Sequence, residues 1–168
     1  MASNLKKTSL TSYRQTQLKT ECHQSPKLRT FILFKDFFST ATFLNKPLSF
    51  IQRKYLAKIR LGCLELEIET GRYSRPIIPA EERLCQVCEN GQGNVEDEFH
   101  FIMECDRYTY ERAGWLNSLT VAPNLQESDK ETILKTVLNE PENIKSTAQF
   151  LINCFDIRSK FMGNHKRQ

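Results

Sequence analysis

Four potential metal ligands lie within 21 residues of one another in the middle of the chain. Cys85 and Cys88 are separated by two residues, His100 follows after eleven intervening residues, and Cys105 after four more. Two thiolates across a tight turn can bind one side of a tetrahedral Zn²⁺ ion, and an imidazole with a third thiolate can complete the other side. Because four protein ligands leave no open position for water, the spacing predicts one structural zinc ion rather than a catalytic one.

The alternative is that small buried cysteines lie beside an unrelated surface histidine, because free cysteine is often buried and inert. Gly91 and Gly93 favour a loop that folds back between the two ligand pairs, which supports the metal site. From Asn94, which can cap, the pattern predicts a short helix that carries His100. Cys105 is then expected just past the end of that helix.

The remaining cysteines do not form a disulfide pattern. The chain has six cysteines, and Cys22, Cys63 and Cys154 are scattered outside the ligand cluster. This distribution favours a reducing compartment, the cytoplasm or the nucleus. The sequence contains no run of 18 apolar residues and no secretory signal, so neither a membrane span nor membrane binding is expected.

The hydrophobic periodicity predicts a mainly α fold: a small helical domain around a single CCHC zinc site, with a short β element. The first 30 residues contain one acidic residue, a composition that fits a disordered basic arm and also a targeting segment. The predicted segments are a disordered basic arm (1–26), a helical pair with a short strand (27–80), the zinc-binding module (81–119), a C-terminal helical pair (120–162) and a tail (163–168).

Two helices and a strand are predicted before the cluster. Apolar residues recur at helical spacing over residues 27–44 and again over 48–61, where Pro47 is expected to open the second helix. Leu, Leu and Ile alternate with Glu over residues 64–69, the period of a half-buried strand.

Beyond the cluster, the lone tryptophan, Trp115, falls on an apolar helical face and is predicted to be in the core. Ser128 and Glu131 have the spacing of a capping box at the start of the first C-terminal helix.

The charge is unevenly distributed along the chain. Residues 1–60 carry a formal charge of +10 and residues 61–168 carry −6, which together give +4. A basic half suggests an anionic partner, most often nucleic acid, although it fits solvated helix faces equally well. The bases on the predicted helix over 48–61 form the candidate phosphate-facing surface, or else cover an apolar face with their long side chains. These candidate nucleic-acid-binding residues are Arg53, Lys54, Lys58 and Arg60.

The cluster itself is expected to have an acidic surface, so a nucleic-acid surface should lie elsewhere on the molecule. Three thiolates on Zn²⁺ would add a further formal negative charge there. The acidic residues near the ligands are Glu89, Glu96, Asp97, Glu98, Glu104 and Asp106.

Residues 58–73, 82–88 and 95–101, with Cys105, resemble the zinc-binding segment that follows the polymerase in non-LTR retrotransposon reverse transcriptases. The similarity extends to residues 27–31 and 150–158, and therefore covers nearly everything after the polar arm. The resemblance implies that Cys85, Cys88, His100 and Cys105 are zinc ligands. It also implies a detached or truncated binding module.

A polymerase is not expected, because nucleotidyl transfer needs carboxylates that hold two metal ions. The chain has five aspartates and no two of them are adjacent. We therefore expect a non-enzymatic, retroelement-derived zinc-binding module whose partner is RNA or DNA, with no small-molecule substrate. The alternative is a protein-interaction or scaffold module, or a retroelement remnant without activity.

Overall fold

The computed structural model describes residues 2–34, 39–88 and 93–165, and within these residues the fold is mainly helical, as predicted. The helices are α1 (Ala2–Gln24), α2 (Phe31–Phe34), α3 (Phe50–Arg60), α4 (Glu67–Thr70), α5 (Thr109–Asn117), α6 (Lys130–Asn139) and α7 (Ile144–His165). Short 3₁₀ turns occupy Pro26–Leu28, Thr42–Asn45, Gly71–Tyr73, Ala80–Glu82 and Asp106–Tyr108, and a π-helical turn occupies His100–Glu104. In the described part of the chain, no helix is both long and apolar enough to cross a membrane.

Helix α7 is the centre of the fold, because α3, α5 and α6 all pack against it. Its residues Leu151 and Cys154 are fully buried. One hydrophobic core extends from Phe43 to Phe155 and includes residues from each predicted segment between 27 and 162. Trp115 on α5 stacks on Phe150 of α7 with ring centroids 4.2 Å apart, so the prediction that this tryptophan lies in the core is confirmed.

Helix α3 forms where the sequence predicts it, and both of its ends are capped. Ser49 and Gln52 form a reciprocal capping box at its start, so Pro47 lies two residues before the cap and outside the helix. At its end, Gly62 has a positive φ of 63°. The amides of Gly62 and Cys63 donate to the carbonyls of Ile59 and Lys58 in the last turn of the helix.

The predicted helix over residues 27–44 is wrong as one continuous element. The structure has a 3₁₀ turn at Pro26–Leu28, the four-residue α2, and a second turn at Thr42–Asn45. Ser39, Thr40 and Ala41 are not helical, which fits the tendency of Ser and Thr to compete for backbone hydrogen bonds. Residues 35–38, part of the predicted apolar stripe, lie outside the described residues.

The predicted strand over residues 64–69 is also wrong, although the alternation behind it is real. Leu64, Leu66 and Ile68 are buried, whereas Glu65 is exposed. The only β pairing in the described residues is an isolated bridge between residues 84 and 95. The segment instead turns into α4.

The chain is helical over Ala2–Gln24, where the sequence predicts a disordered basic arm. The segment contains three each of Lys, Gln and Leu, which favour helix, and no glycine or proline, whereas its seven Ser and Thr residues are weaker helix formers. Periodicity alone does not indicate this helix, because its apolar residues form no continuous stripe.

The predicted C-terminal helical pair corresponds to α6 and α7. Asp129 caps α6 by accepting from the amide of Thr132 at 2.7 Å, so the predicted cap at Ser128 is wrong by one residue. Between the two helices, the buried Asn143 side chain accepts from the Val121 amide and donates to the Val121 carbonyl. Helix α7 continues through His165 into the predicted tail, and residues 166–168 lie outside the described part.

Candidate metal centre

The structure brings together the four residues selected from the sequence. The ligand atoms of Cys85, Cys88, His100 and Cys105 all lie within 4.8 Å of one another, a group that can hold a metal ion. The Cys88 sulfur lies 3.6 Å from the Cys105 sulfur and 3.3 Å from His100 Nε2, and the Cys85 and Cys105 sulfurs are 3.9 Å apart. In a tetrahedral site with metal–sulfur bonds of ~2.3 Å, neighbouring sulfurs lie roughly 3.8 Å apart. The group therefore has the dimensions of a closed tetrahedral site.

The first ligand pair is held by a short backbone pairing. Leu84 and Val95 form an antiparallel bridge, in which the Cys85 amide donates to the Asn94 carbonyl at 2.9 Å. Between the two cysteines, Val87 is fully buried and its carbonyl accepts from Arg107 Nε at 3.2 Å. Gly93, with φ of 63°, precedes the returning strand-like segment, and residues 89–92 of the predicted loop lie outside the described residues.

In the second ligand pair, His100 lies on a short helix that begins later than predicted, and Cys105 lies just past the end of that helix, as predicted. Asp97, not Asn94, caps it by accepting from the His100 amide at 2.7 Å. The Cys105 amide donates to the His100 carbonyl at 2.7 Å, which closes a π-helical turn. An ordinary α-turn places residues five apart on different sides of the helix, and the wider turn brings Cys105 back beside His100.

His100 is buried, with 2% of its surface exposed, and its two ring nitrogens have different neighbours. Nε2 lies against the Cys88 sulfur, whereas Nδ1 lies 3.6 Å from a carboxylate oxygen of Glu104. Glu104 also pairs with Lys130 at 3.1 Å. At 3.6 Å this contact is longer than a hydrogen bond, and Nδ1 has no hydrogen-bond partner among the described residues, so Glu104 lies near the ring without fixing its orientation.

The thiols of the cluster differ strongly in acidity. A hydrogen bond from Cys105 lowers the pKa of Cys85, and the same bond raises the pKa of Cys105. Burial raises the pKa of Cys88 to about 11. Burial also acts to lower the pKa of His100, but the Cys85 thiolate outweighs it and the net shift is upward. A cation that binds these sulfurs would displace the protons that they carry.

Glu96 connects residues 84–88 and 93–105, which we call the metal loop, to the central helix α7. Its side chain is fully buried and accepts from both terminal nitrogens of Arg158 on α7, with Nη2 at 2.9 Å. It also accepts from the Glu67 amide at 2.8 Å, and one of its oxygens lies 3.5 Å from the Cys85 sulfur. Burial raises the pKa of the Glu96 carboxyl to about 8, and Arg158 acts against that rise.

A second buried acid near the cluster is also paired. Glu98, 4% exposed, accepts from Nε of Arg29 at 3.2 Å and from Nη2 of the same guanidinium. Arg29 in turn approaches Glu69, which pairs with Arg72 at 3.1 Å. The expectation of a uniformly acidic surface is therefore wrong for Glu96 and Glu98, because basic side chains from distant segments neutralise them inside the protein.

Of the four bases proposed to contact nucleic acid, Arg60 does not lie on the surface. It is 5% exposed, and its Nη1 donates to the Leu138 carbonyl at 2.7 Å. Its guanidinium lies over the rings of Phe34 and Phe43, with the carbon 4.4 Å and 5.4 Å from their centroids. Arg60 joins α3 to α6 and is unavailable to phosphate.

The other three bases remain accessible on α3. Arg53 and Lys54 are exposed, and Arg53 donates one hydrogen bond to the Lys46 carbonyl. The Lys58 side chain keeps 33% of its surface exposed, and its Nζ lies 3.2 Å from a carboxylate oxygen of the exposed Glu65. Such a surface pair contributes little and leaves the lysine available to another anion.

The sequence pattern indicates the four candidate ligands but not the side chains that position them. Glu96, Glu98 and Asp97 looked like surface acids, and Arg29 and Arg158 were assigned no role. Arg158 had a usable signal, because it continues the buried stripe of Leu151 and Cys154 along α7. A base on an apolar stripe needs a buried partner. For Glu98 and Arg29, 69 residues apart, no such signal exists.

Comparison of the chain with protein-family models, with curated proteins and with solved structures gave no match. The fold and site by themselves define a mainly helical protein with a three-cysteine, one-histidine group that can hold a metal ion.

Proposed function

We propose that this chain is a zinc-stabilised module that binds nucleic acid, has no polymerase activity, and derives from a retroelement. The observation that carries the binding proposal is the surface of α3, which presents Arg53, Lys54 and Lys58 on a helix without a single acidic residue. Bases arranged in this way contact phosphates without reading the sequence of bases.

Zinc is the proposed ion because three thiolates and one imidazole are its usual structural ligands. Four such donors fill a tetrahedral shell, which supports a structural role and leaves no position for a reacting water. The retroelement origin is supported by the sequence resemblance alone. A thiolate-rich site suits a reducing compartment, so a cytoplasmic or nuclear location belongs to the same proposal.

The metal proposal is tested by elemental analysis of the purified chain. We expect one zinc per chain, and we expect Cys88→Ala to lose the metal together with the structure of residues 84–105. Metal-linked folding of small zinc sites is worth roughly 10–16 kcal/mol, far more than the local packing could replace. Cys63→Ser is the matched control, because Cys63 is exposed and outside the cluster. Full zinc content in Cys88→Ala would exclude the assignment.

The binding proposal is tested by the salt dependence of affinity for single- and double-stranded RNA and DNA. We expect Lys54→Glu with Lys58→Glu to weaken binding to all sequences while the metal content stays unchanged. The matched control is Glu81→Lys with Glu82→Lys, because both glutamates are exposed near the metal loop. The control pair should leave binding unchanged or slightly tighter. If wild type binds none of the four nucleic acids at low salt, the proposal is wrong.

A protein-interaction module is the second candidate, favoured by exposed apolar side chains. Tyr73 and Ile77 are 62% and 70% exposed on either side of the cis Arg75–Pro76 bond. Wild-type protein that binds no nucleic acid in the experiment above would favour this candidate.

A further inference from the structure

An exposed aromatic ring lies at the start of α3. Phe50 is the first residue of the helix and 82% of its surface is exposed. The opposite side of α3 faces the core, where Leu56 is fully buried and the Tyr55 ring lies 5.1 Å from Phe155 of α7. Because the opposite side of α3 packs against the core, the helix holds the backbone of Phe50 in a fixed position.

Cations lie on the same outer surface. Arg53 and Lys54 are three and four residues after Phe50, the spacing at which helical side chains are neighbours, with Cβ atoms roughly 5–6 Å apart. Both side chains are exposed. A ring and two positive charges thus share one face, within one helical turn.

The surroundings of this face are basic. Residues 39–64 contain no acidic residue and five Lys and Arg, of which Arg60 is buried and the other four remain on the surface. Glu65, the first acid after them, pairs with Lys58 at the far end of α3. Glu142 borders a hollow shared with Gln52, and Lys145 lines the same hollow. The electrostatic character of the face therefore suits a polyanion.

We infer that this face binds single-stranded nucleic acid, with the Phe50 ring stacked on an unpaired base and Arg53 and Lys54 on the adjacent phosphates. The inference rests on the proposed function and narrows it to single strands. In a duplex the faces of the bases are already stacked and paired, so an exposed ring has nothing to stack on. Proteins that bind single strands without sequence preference combine cationic and aromatic side chains in this way.

Exposed apolar neighbours offer a competing occupant. Leu44 and Ile51 are 47% and 52% exposed close to Phe50 in sequence, which would suit an apolar partner or a second copy of the chain. Two exposed cations beside the ring favour the polyanion, because an apolar partner would have to bury or displace them. Self-association is therefore measured in the same experiment.

The experiment compares affinities for a short mixed-sequence single strand and for the matching duplex. Phe50→Leu keeps apolar bulk but removes the aromatic face, so we expect it to weaken single-strand binding by roughly 5- to 150-fold, which corresponds to ~1–3 kcal/mol per stacked base. Phe50→Trp should restore binding, and its fluorescence should be quenched by the strand beyond the change seen in wild type. The matched control is Tyr110→Leu, because Tyr110 on α5 is also an exposed aromatic, at 88%.

Salt dependence separates the two kinds of contact. A stacked ring releases no counterions, so Phe50→Leu should leave the slope of log affinity against log salt unchanged. Lys54→Gln should reduce the slope by about 0.7 on a single strand. Circular dichroism and metal content confirm that each variant has the wild-type fold.

The possible outcomes distinguish the stacking inference from the proposed function and from self-association. Unchanged single-strand affinity in Phe50→Leu, or an equal loss on strand and duplex, overturns the stacking inference and leaves the proposed function intact. Wild-type protein that binds neither nucleic acid overturns both. Concentration-dependent dimerisation that Phe50→Leu abolishes would assign the face to a second copy of the chain, and would overturn the inference as well.

Discussion

Replacing Arg158 by methionine should disrupt the connection between the metal loop and the central helix. The change leaves the fully buried Glu96 carboxylate with one remaining donor, the Glu67 amide, and with the Cys85 sulfur 3.5 Å away. Removing one partner of a buried ion pair typically costs ~3–5 kcal/mol, because the other group stays in the interior either as an uncompensated charge or with a proton that it must take up. A domain of this size has a free energy of unfolding of only ~5–15 kcal/mol, so the loss is a large share of the total.

The assay is urea unfolding followed by circular dichroism at a fixed free-zinc concentration. With a denaturant dependence of ~2 kcal/mol per molar urea, Arg158→Met should lower the midpoint by roughly 1.5–2.5 M. Zinc affinity should also fall by about 10- to 100-fold, as for other residues that support metal ligands from behind. The matched control is Lys160→Met on the same helix, since Lys160 pairs with Asp156 in solvent and should change stability by less than ~0.5 kcal/mol.

The double variant Glu96→Leu with Arg158→Met gives the sharper test. Removing both charges leaves no unpaired buried charge, so the double variant should be more stable than Arg158→Met alone. Additive costs of the two single changes, or an Arg158→Met protein as stable as Lys160→Met, would refute the view that the pair is electrostatically coupled.

Two further predictions concern the backbone and the thiols. Gly62→Ala should destabilise the protein by at least ~1–2 kcal/mol because of its positive φ, and its new methyl group would lie 2.8 Å from the Lys27 carbonyl oxygen. Gly114→Ala should instead stabilise the protein by ~0.5–1 kcal/mol, because Gly114 is on the exposed side of α5 and nothing lies within 4 Å of the added carbon. Equal effects of Gly62→Ala and Gly114→Ala in thermal unfolding would contradict this reasoning. With metal bound, a thiol reagent should modify one cysteine per chain rapidly, Cys63, because all six cysteines are free and the others are buried or in the cluster. A chelator should expose three more, and a rapid phase that survives Cys63→Ser in the metal-bound protein would show that the cluster is open.

Features set by neighbouring residues were predictable from the sequence. The four ligands, the extent of α3 and the core position of Trp115 each depend on spacings of a few residues. Local rules also located the start of α6 to within one residue, because Ser128 and Asp129 are both good caps.

Features that depend on distant partners were not predictable. The alternation over residues 64–69 predicts burial correctly, but a strand requires a neighbouring strand, and the described residues provide only the bridge near residue 84. Arg60 appeared to be one of a set of surface bases, yet its position beside Leu56 and Ile59 places it on the buried side of α3. The Arg60 guanidinium donates to the Leu138 carbonyl, which is 78 residues away. No local pattern in the sequence indicates this contact.

The distance along the chain between Glu96 and Arg158 has a consequence for biosynthesis. The four ligands lie within 21 residues, so they leave the ribosome almost together, whereas Arg158 is made 62 residues after Glu96. At ~5–20 residues per second this delay is roughly 3–12 s. During that interval the nascent metal loop can bind its ion, but Glu96 has no guanidinium and must remain hydrated. We therefore expect the proposed ion to be acquired first, so that α7 closes onto a loop whose shape the ion has already set.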